Sequence, residues 1–205
     1  MGCGTGTLLG SFTDRFGKLV GVDIDAELLK YASMKLLAGH GSPVELLKES
    51  IRDLDTVFRD DEFSCITCLG NTLPHLVGPG AIQETLASAA RHLERDGVFV
   101  FQIINYDRIL DRGLRGLPTI ERGEISFERY YSAPDERGLI NFNTILSDPG
   151  KNLEIQNSIP LLPVRKLQMA GYLAAAGFSR ISYFGDYAGA AYSPDSYLLI
   201  GVCRL

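Results

Sequence analysis

The segment Gly2-Cys3-Gly4-Thr5-Gly6 constrains the fold of this chain more than any other part of the sequence. Glycines at alternate positions allow the backbone to turn tightly and allow a ligand to approach it closely. The following residues predict a helix whose apolar face comprises Leu8, Leu9, Phe12 and Phe16. A glycine turn at a helix start presents free N–H groups and the positive end of the helix dipole, so this segment predicts a ligand site.

A predicted strand and an acidic residue follow the glycine segment. Residues 18 to 22 favour a buried strand, and the strand ends at Asp23. A carboxylate at that position can accept hydrogen bonds from both hydroxyls of a ribose. Asp25 is expected to cap the next helix, and Gly39 and Gly41 are expected to end it. The glycine segment and Asp23 together predict a cofactor that contains a ribose.

Four motifs occur in the order typical of one enzyme family. They are GCGTGTLL at residues 2 to 9, GVDID at 21 to 25, CLGNTLPHL at 68 to 76 and INYDRIL at 104 to 110. With these motifs the chain resembles the class I S-adenosylmethionine-dependent methyltransferases, and within them the glycine and sarcosine N-methyltransferases. The dinucleotide fingerprint GxGxxG is absent, because the third glycine comes one residue early.

The resemblance implies an α/β fold with a Rossmann-like, mostly parallel sheet, helices on both faces and an antiparallel last strand. In this family a strand in the middle of the sheet precedes the glycine segment, whereas only Met1 precedes Gly2 here. We therefore expect the first strand to be missing, or another segment to fill its place. Without such a segment, both neighbouring strands keep unpaired backbone groups.

Residues 117 to 162 differ in pattern from the rest of the chain. Apolar residues alternate with polar ones in three successive runs, which begin near Ile125, Ile140 and Leu153, and turn-forming segments separate the runs. This pattern predicts an antiparallel meander. We expect one methyltransferase domain over residues 1 to 205, with this small antiparallel insertion as a lid that shapes the substrate site. An oligomer contact is the alternative role for the insertion.

The resemblance also implies which residues bind S-adenosylmethionine. The glycine segment lies along the methionine end of the cofactor, Asp23 holds the ribose, and Ile24 offers an apolar face to the adenine. Ser50 and Ile51 take the positions that contact the adenine amino group and a ring nitrogen in this family. The backbone after the next strand passes near the methionine part. The full set is Gly2, Cys3, Gly4, Gly6, Asp23, Ile24, Ser50, Ile51, Leu69 and Gly70.

Two further predicted strands lead to the acceptor side of the site. These strands span residues 63 to 69 and 98 to 104, and a helix over residues 81 to 95, ended by Asp96-Gly97, lies between them. Ligands bind at the carboxyl ends of strands in open α/β sheets. Residues Asn71, His75, Asn105 and Tyr106 follow these strands and are the candidate catalytic residues.

Methyl transfer to an amine needs the amine to lose a proton, and each candidate has a chemical role in that reaction. His75 or Tyr106 could help to remove the proton, and Asn71 and Asn105 could orient the acceptor through hydrogen bonds. For His75 a structural role at a helix start is an equal alternative. The third inserted strand, residues 153 to 159, lacks the arginine expected for a carboxylate acceptor, so we predict a small-molecule acceptor without naming glycine.

Composition limits the partners and the location. The net charge is −5 and no basic run occurs, so nucleic acid is not an expected partner. No stretch approaches 18 apolar residues, so we expect no membrane span. Cys65 and Cys68 lie in a predicted strand, where residues three apart point to opposite faces, and no second ligand pair is spaced for a metal. We expect core thiols in a cytoplasmic protein, with no metal site and a possible homo-oligomer.

Three functions remain open from the sequence. Methyl transfer from S-adenosylmethionine to a small-molecule acceptor, possibly an amine, is the first. A nicotinamide-dependent oxidoreductase on a related fold shares the acid after the second strand but lacks the glycine spacing. A non-catalytic, methyltransferase-like protein that works by association is suggested by the expected loss of the first strand.

Overall fold

A computed structural model describes residues 1–37 and 43–205 of the chain. Gly39 and Gly41, which were expected to end the second helix, lie outside the described residues. Along the described chain the elements are α1 (Thr7–Gly10), β1 (Leu19–Asp23), α2 (Ala26–Leu37), β2 (Val44–Lys48), α3 (Leu54–Phe58), β3 (Phe63–Cys68), α4 (Ala81–Arg91), β4 (Leu93–Ile104), α5 (Tyr106–Asp111), β5 (Gly116–Arg122), β6 (Ile125–Tyr131), β7 (Ile140–Asp148), β8 (Leu153–Leu161), α6 (Lys166–Ala175), β9 (Arg180–Phe184) and β10 (Leu198–Arg204).

The strands form three hydrogen-bonded groups. The first is the parallel pair β1–β2. The second has the order β3-β4-β10-β9, in which β3 and β4 are parallel and β10 runs antiparallel to both of its neighbours. The third, the insert sheet, is the antiparallel meander β5-β6-β7-β8. The predicted α/β fold, with its antiparallel last strand and its small antiparallel insertion, is confirmed.

The first residues of the chain connect the first two groups. The amino group of Met1 donates to Thr67 O in β3 (2.8 Å), and the Cys3 N–H donates to Val22 O in β1 (3.0 Å). Within the described residues, β1 pairs only with β2 and β3 pairs only with β4. One edge of each strand therefore faces the other across the position at which residues 1 to 3 lie.

The hydrophobic core centres on β4. Phe99, Phe101 and Ile103 are fully buried on this strand, with Leu86 of α4 and Leu173 of α6 packed in the same cluster. Each such side chain contributes about 1.5–3 kcal/mol when it is removed from water. The core therefore fixes the carboxyl end of β4, which supplies one side of the candidate site.

The structure corrects two predicted helices. The helix predicted to extend to Phe16 is a single turn, Thr7–Gly10, followed by tight turns with bonds such as Phe12 N–H to Leu9 O (2.9 Å). Gly10 and Ser11 are poor helix formers, which accounts for the early end. The helix predicted over residues 81 to 95 ends at Arg91, because Leu93 pairs with Phe63 and already belongs to β4.

The insertion contains one strand more than predicted. Its first strand, β5, includes Pro118 and shows no alternation, and its register with β6 shifts between Leu117 and Ile120. Proline is tolerated at a sheet edge or a bulge, where its missing N–H breaks no ladder. The insertion therefore spans residues 116 to 161 as four strands.

Candidate functional site

The glycine segment adopts the conformation for which glycine is required. Gly2, Gly4 and Gly6 all have positive φ, at 66°, 50° and 69°. A Cβ on Gly2 would lie 2.7 Å from the Thr72 side chain, so this glycine brings the segment against the turn after β3. A Cβ on Gly4 would meet nothing within 4 Å, which leaves open space above the loop. The backbone at Gly4 is therefore accessible to a ligand.

Asp23 connects β1 to the glycine segment. Its Oδ2 accepts from the Gly4 N–H (2.7 Å), and its Oδ1 accepts from the Asp25 N–H (3.0 Å). Each carboxylate oxygen has two acceptor positions, so both oxygens keep one for a ligand hydroxyl. Asp25 caps α2 as predicted, because its Oδ1 accepts from the Glu27 N–H (2.9 Å).

The predicted adenine contacts lie next to Asp23. The Glu49 N–H donates to Asp23 O (3.1 Å), and this bond brings the segment after β2 to the end of β1. Ile24 exposes 71% of its surface, an unusual fraction for an apolar side chain beside a site. The Ser50 Oγ accepts from the Arg52 N–H (3.1 Å), and the Ile51 side chain is buried in the core. Ile24 therefore offers an open apolar face, whereas the Ile51 side chain belongs to the core.

The turn after β3 forms the second side of the site. Gly70 and Asn71 have positive φ, at 73° and 64°, and a Cβ on Gly70 would meet nothing within 4 Å. Gln102 of β4 holds this turn twice: its Oε1 accepts from the Gly70 N–H (2.8 Å) and its backbone O accepts from the Asn71 N–H (3.2 Å). The Thr72 hydroxyl donates to Leu69 O (2.7 Å). The turn after β3 therefore lies against the glycine segment through Thr72 and Gly2.

Asn71 and Tyr106 bond to each other across the ends of β3 and β4. The Asn71 Nδ2 lies 3.0 Å from the Tyr106 Oη, and the Asn71 Oδ1 accepts from the Ile104 N–H (3.0 Å). Burial raises the pKa of Tyr106 well above its ordinary value, so the phenol stays protonated at neutral pH. This environment favours positioning by hydrogen bonds over proton removal by Tyr106.

Asn105 is buried, with 1% of its surface exposed, and it anchors a distant loop. Its Oδ1 accepts from the Arg108 N–H (3.3 Å) and caps α5. Its Nδ2 donates to the backbone carbonyls of three residues in the loop before β10: Ser193, Pro194 and Ser196 at 3.4, 3.1 and 2.9 Å. The side chain therefore has a structural task in addition to any role toward an acceptor.

His75 is the most accessible of the candidate catalytic residues. It ends a short 3₁₀ turn (Leu73–His75), and its N–H donates to Thr72 O (3.1 Å). Among the described residues the imidazole makes no hydrogen bond. Partial burial lowers the pKa of His75, so the neutral form prevails at neutral pH. A neutral, accessible imidazole is the form that can accept a proton.

The buried end of the insert sheet closes the acceptor side. The Leu162 N–H donates to Pro74 O (2.8 Å), and Tyr131, Ile140 and Leu161 join the core cluster beside Tyr106. The Tyr131 hydroxyl is buried without a partner among the described residues, and burial raises its pKa to about 12. The insert sheet therefore lies next to the turn that carries His75.

Three arginines of this region contact protein groups, although the buried Nε of Arg129 has no hydrogen-bond partner among the described residues. The Arg108 guanidinium lies 4.2 Å from the centre of the Tyr197 ring, and one Arg129 nitrogen donates to Pro118 O (2.7 Å). Arg165 donates from Nη1 to Asp107 (3.1 Å) and from Nη2 to Asp111 (2.7 Å), which clamps α6 to α5. Of these three arginines, only Arg165 is paired with carboxylates of the described protein residues.

The four cysteines are free thiols, and Cys68 and Cys203 are buried. Burial raises the pKa of Cys3, whose thiol lies beside Gly21 rather than in the open space above Gly4. Within residues 1–37 and 43–205, no group of three His, Cys, Asp or Glu residues could hold a metal ion. None of the helices described is long and apolar enough to cross a membrane.

Comparisons with known proteins identify the fold. Residues 1–97 match the family described as "Methyltransferase domain". The chain is 30% identical over 172 residues to the glycine/sarcosine/dimethylglycine N-methyltransferase of Actinopolyspora halophila. The aligned region covers 82% of this chain and 28% of that protein. All of the chain superposes on 81% of an S-adenosylmethionine-dependent methyltransferase from Clostridium acetobutylicum, with a TM-score of 0.85 and 18% identity. The chain has the fold of the class I S-adenosylmethionine-dependent methyltransferases.

A third comparison concerns the cofactor. An amino pentose methyltransferase from Micromonospora echinaspora, solved with S-adenosylmethionine bound, matches all of this chain with a TM-score of 0.71 and 20% identity; 81% of that protein is covered. The chain spans only 28% to 54% of the length of the first three curated relatives. S-adenosylmethionine is the cofactor that this methyltransferase fold accommodates, and the open backbone at Gly4 and Gly70 and the exposed Ile24 fit it.

Sequence reasoning missed two residues of the candidate site. Gln102 holds the Gly70 turn, and the Tyr187 hydroxyl donates to the same Gln102 Oε1 (3.1 Å) from the loop after β9. The signal for Gln102 was present, since it is the one polar residue in the apolar run VFVFQII at residues 98 to 104. Tyr187 carries no such signal, because its partner lies 85 positions away in the chain.

Proposed function

We propose that this chain transfers a methyl group from S-adenosylmethionine to the amino group of a small molecule. The observation that carries the proposal is the bond between the Asp23 carboxylate and the Gly4 N–H (2.7 Å). This bond supports the proposal because it holds a carboxylate, which can accept from ribose hydroxyls, beside an open glycine backbone at the carboxyl end of β1. Of the three functions left open by the sequence, the family match and the structural neighbours support methyl transfer.

The proposed binding roles follow from the contacts. Asp23 holds the ribose hydroxyls, Ile24 packs against the adenine, and the segment Ser50–Ile51 borders the adenine edge. Cys3 serves through its backbone, which the bond to Val22 O (3.0 Å) fixes at the end of β1. The remaining proposed contacts are backbone positions at Gly2, Gly4, Gly6, Leu69 and Gly70.

The proposed reaction asks little covalent chemistry of the protein. When bound, S-adenosylmethionine supplies a methyl group already activated by its sulfonium. The chain has to hold the acceptor nitrogen in line with that methyl group, and such positioning is worth up to about 7–11 kcal/mol of the barrier. Asn71, Tyr106 and Asn105 fix the walls beside the acceptor, and the neutral His75 imidazole takes the proton that the amine loses.

The amine class of the acceptor rests on two relatives. One is named for glycine, sarcosine and dimethylglycine, and the other is described as an amino pentose methyltransferase. We propose that the insert sheet shapes the acceptor site, because Leu162 and Tyr131 pack it against the 3₁₀ turn of His75 and against Tyr106. Arg165 is already paired with Asp107 and Asp111, so it is not free to bind a carboxylate on the acceptor.

Calorimetric titration with S-adenosylhomocysteine tests cofactor binding directly. We expect saturable heat with one site per chain, together with a rise in melting temperature that grows with ligand concentration. Methyl transfer is then measured with glycine, sarcosine and an amino sugar at equal concentrations. We expect the amino sugar to be the best acceptor of the three. Absence of binding heat by protein that melts cooperatively would refute the proposal.

Replacement of His75 by glutamine is expected to reduce kcat by about 100-fold with little change in S-adenosylhomocysteine affinity, if the amine loses its proton to this ring. The wild-type rate should fall as the pH drops through the lowered pKa of His75, because only the neutral imidazole accepts a proton. The variant should lack this decrease. A pH profile of kcat that is the same in both proteins would assign His75 a purely structural role.

A further inference from the structure

Tyr187 combines a buried polar anchor with an open aromatic ring. The residue lies in the loop between β9 and β10, and 67% of its surface is exposed. Its hydroxyl nevertheless donates to the Oε1 of Gln102 (3.1 Å), whose side chain is buried with 5% of its surface exposed. The ring is therefore held at one end, and most of its surface stays free to contact a ligand.

The loop that carries Tyr187 is fixed by its own hydrogen bonds. The Asp186 Oδ1 accepts from the N–H groups of Ala188 (2.9 Å) and Ala190 (3.0 Å). The Gly185 N–H donates to Ala190 O (2.8 Å) and closes the turn. Aspartate side chains stabilise tight turns through such bonds to the backbone. The turn therefore presents the Tyr187 ring at a defined position.

Gln102 connects the Tyr187 ring to the turn after β3. The same Oε1 accepts from the Gly70 N–H (2.8 Å), so the Tyr187 hydroxyl lies within two hydrogen-bond lengths of the Gly70 backbone. Because β4 and β9 are both antiparallel to β10, the Tyr187 loop leaves the sheet at the edge where β4 ends. A Cβ on Gly70 would meet nothing within 4 Å. One ligand above this turn can therefore reach both Gly70 and the ring.

The groups around the Gly70 turn are neutral. Among the described residues, no carboxylate takes part in the hydrogen bonds of Gly70, Asn71, Gln102 or Tyr187. A cation bound here would have no ion pair with these residues, whereas the face of an aromatic ring attracts a cation without one. Tyr106 also bonds to this turn but is buried, so Tyr187 has the accessible ring face.

We propose that Tyr187 is a cofactor-binding residue whose ring face contacts the sulfonium of S-adenosylmethionine and favours this charged cofactor over the neutral S-adenosylhomocysteine. The inference rests on the proposed function, which places the methionine part of the cofactor at Leu69 and Gly70. Gln102 is the positioning residue, because it holds both the hydroxyl and the turn. Transfer of the methyl group removes the charge from the sulfur, so the ring loses this attraction for the product and favours its release.

Calorimetric titration of the whole chain with S-adenosylmethionine and S-adenosylhomocysteine, without an acceptor, measures this preference. Tyr187→Leu removes the ring. We expect it to lower the affinity for S-adenosylmethionine by about 10-fold and that for S-adenosylhomocysteine by about twofold, so the ratio of the two affinities falls about fivefold. Sinefungin, which carries an ammonium group in place of the methylated sulfonium, should lose affinity by the same factor as S-adenosylmethionine.

Two further variants separate the ring from the hydroxyl and from the surface in general. Tyr187→Phe keeps the ring and loses the bond to Gln102, so all affinities should fall by one common factor and their ratio should stay at the wild-type value. Tyr31→Leu replaces an exposed tyrosine of α2 and should change neither the affinities nor the ratio. Thermal unfolding without ligand reports whether each variant is folded, and Tyr187→Gln, which also lacks a ring, replaces Tyr187→Leu if that variant is not.

A wild-type ratio in the Tyr187→Leu protein would overturn the proposal, and the cofactor site would stand without it. A ratio in Tyr187→Phe as low as in Tyr187→Leu would overturn it too, because the hydroxyl and not the ring would then set the preference. If none of the three ligands bound to the folded wild-type chain, the proposed function itself would be refuted. Loss of the preference and loss of binding are separate results, so the two proposals can be told apart.

Discussion

Replacement of Asp23 by alanine is expected to lower the affinity for S-adenosylhomocysteine by about 100-fold, because two charge-assisted hydrogen bonds to the ribose are lost. The substitution also frees the Gly4 N–H, which Asp23 holds at 2.7 Å, so the glycine loop loses a support at the same time. Asp23→Asn keeps the size of the side chain and one acceptor oxygen, and we expect an intermediate loss of about 10-fold. Calorimetric titration of the three proteins measures both differences.

Asp53→Ala is the matched control for Asp23. Asp53 is an exposed acid close to the predicted adenine contacts, and its side chain caps no helix N–H in α3. We expect its loss to change the affinity by less than about twofold, as for other surface substitutions. An equal loss in the Asp23 and Asp53 variants would mean that the ligand does not use Asp23 in the proposed way.

Asn105→Ala is expected to destabilise the protein by about 2–4 kcal/mol, because the change removes a helix cap and leaves buried polar groups unpaired. The Asn105 side chain bonds to the Arg108 N–H, to the Tyr192 hydroxyl and to three carbonyls of the loop before β10. For a chain of 205 residues this loss corresponds to a decrease in Tm of at least about 5 °C. Thermal and urea unfolding measure the effect.

The control for this substitution is Asn141→Ala. Asn141 lies exposed on β7, so its loss should change the free energy of unfolding by less than about 0.5 kcal/mol. If the Asn105→Ala protein were as stable as the control, the bonds to the loop would contribute little to the free energy of unfolding. The proposed contact with the acceptor would then be the remaining role of Asn105.

The contact between the glycine segment and Asp23 could be predicted from the sequence, because both parts follow from strand geometry. Gly4 and Asp23 are 19 positions apart, yet a turn before a helix and the end of the next parallel strand must meet at one edge of the sheet. The positive φ angles at Gly2, Gly4 and Gly6 were likewise predictable, since only glycine adopts them without strain. Local chemistry and strand order were sufficient here.

The parts that could not be predicted depend on partners distant in the chain. The helix α4 ends at Arg91 because Leu93 pairs with Phe63. The residues around Leu93 contain no sequence pattern that predicts this pairing. Asn71 and Asn105 were placed correctly after their strands, but their bonds to Tyr106 and to the loop at residues 193 to 196 span 35 to 91 positions. Residue type and spacing indicate where such a side chain lies, whereas its hydrogen bonds depend on the folded chain.

The ion pairs of Arg165 hold together the two ends of the insertion. The insert sheet leaves the chain after α5 and returns just before α6, and Arg165 binds Asp107 and Asp111 at that junction. Asp107 also accepts from the Lys166 N–H (3.0 Å). The two ends of the insertion are therefore held together by α5 and α6, whatever the conformation of the roughly 46 residues between them. Under the proposed function, exchange of the insert sheet with that of a relative should change the preferred acceptor while the rest of the chain keeps its fold.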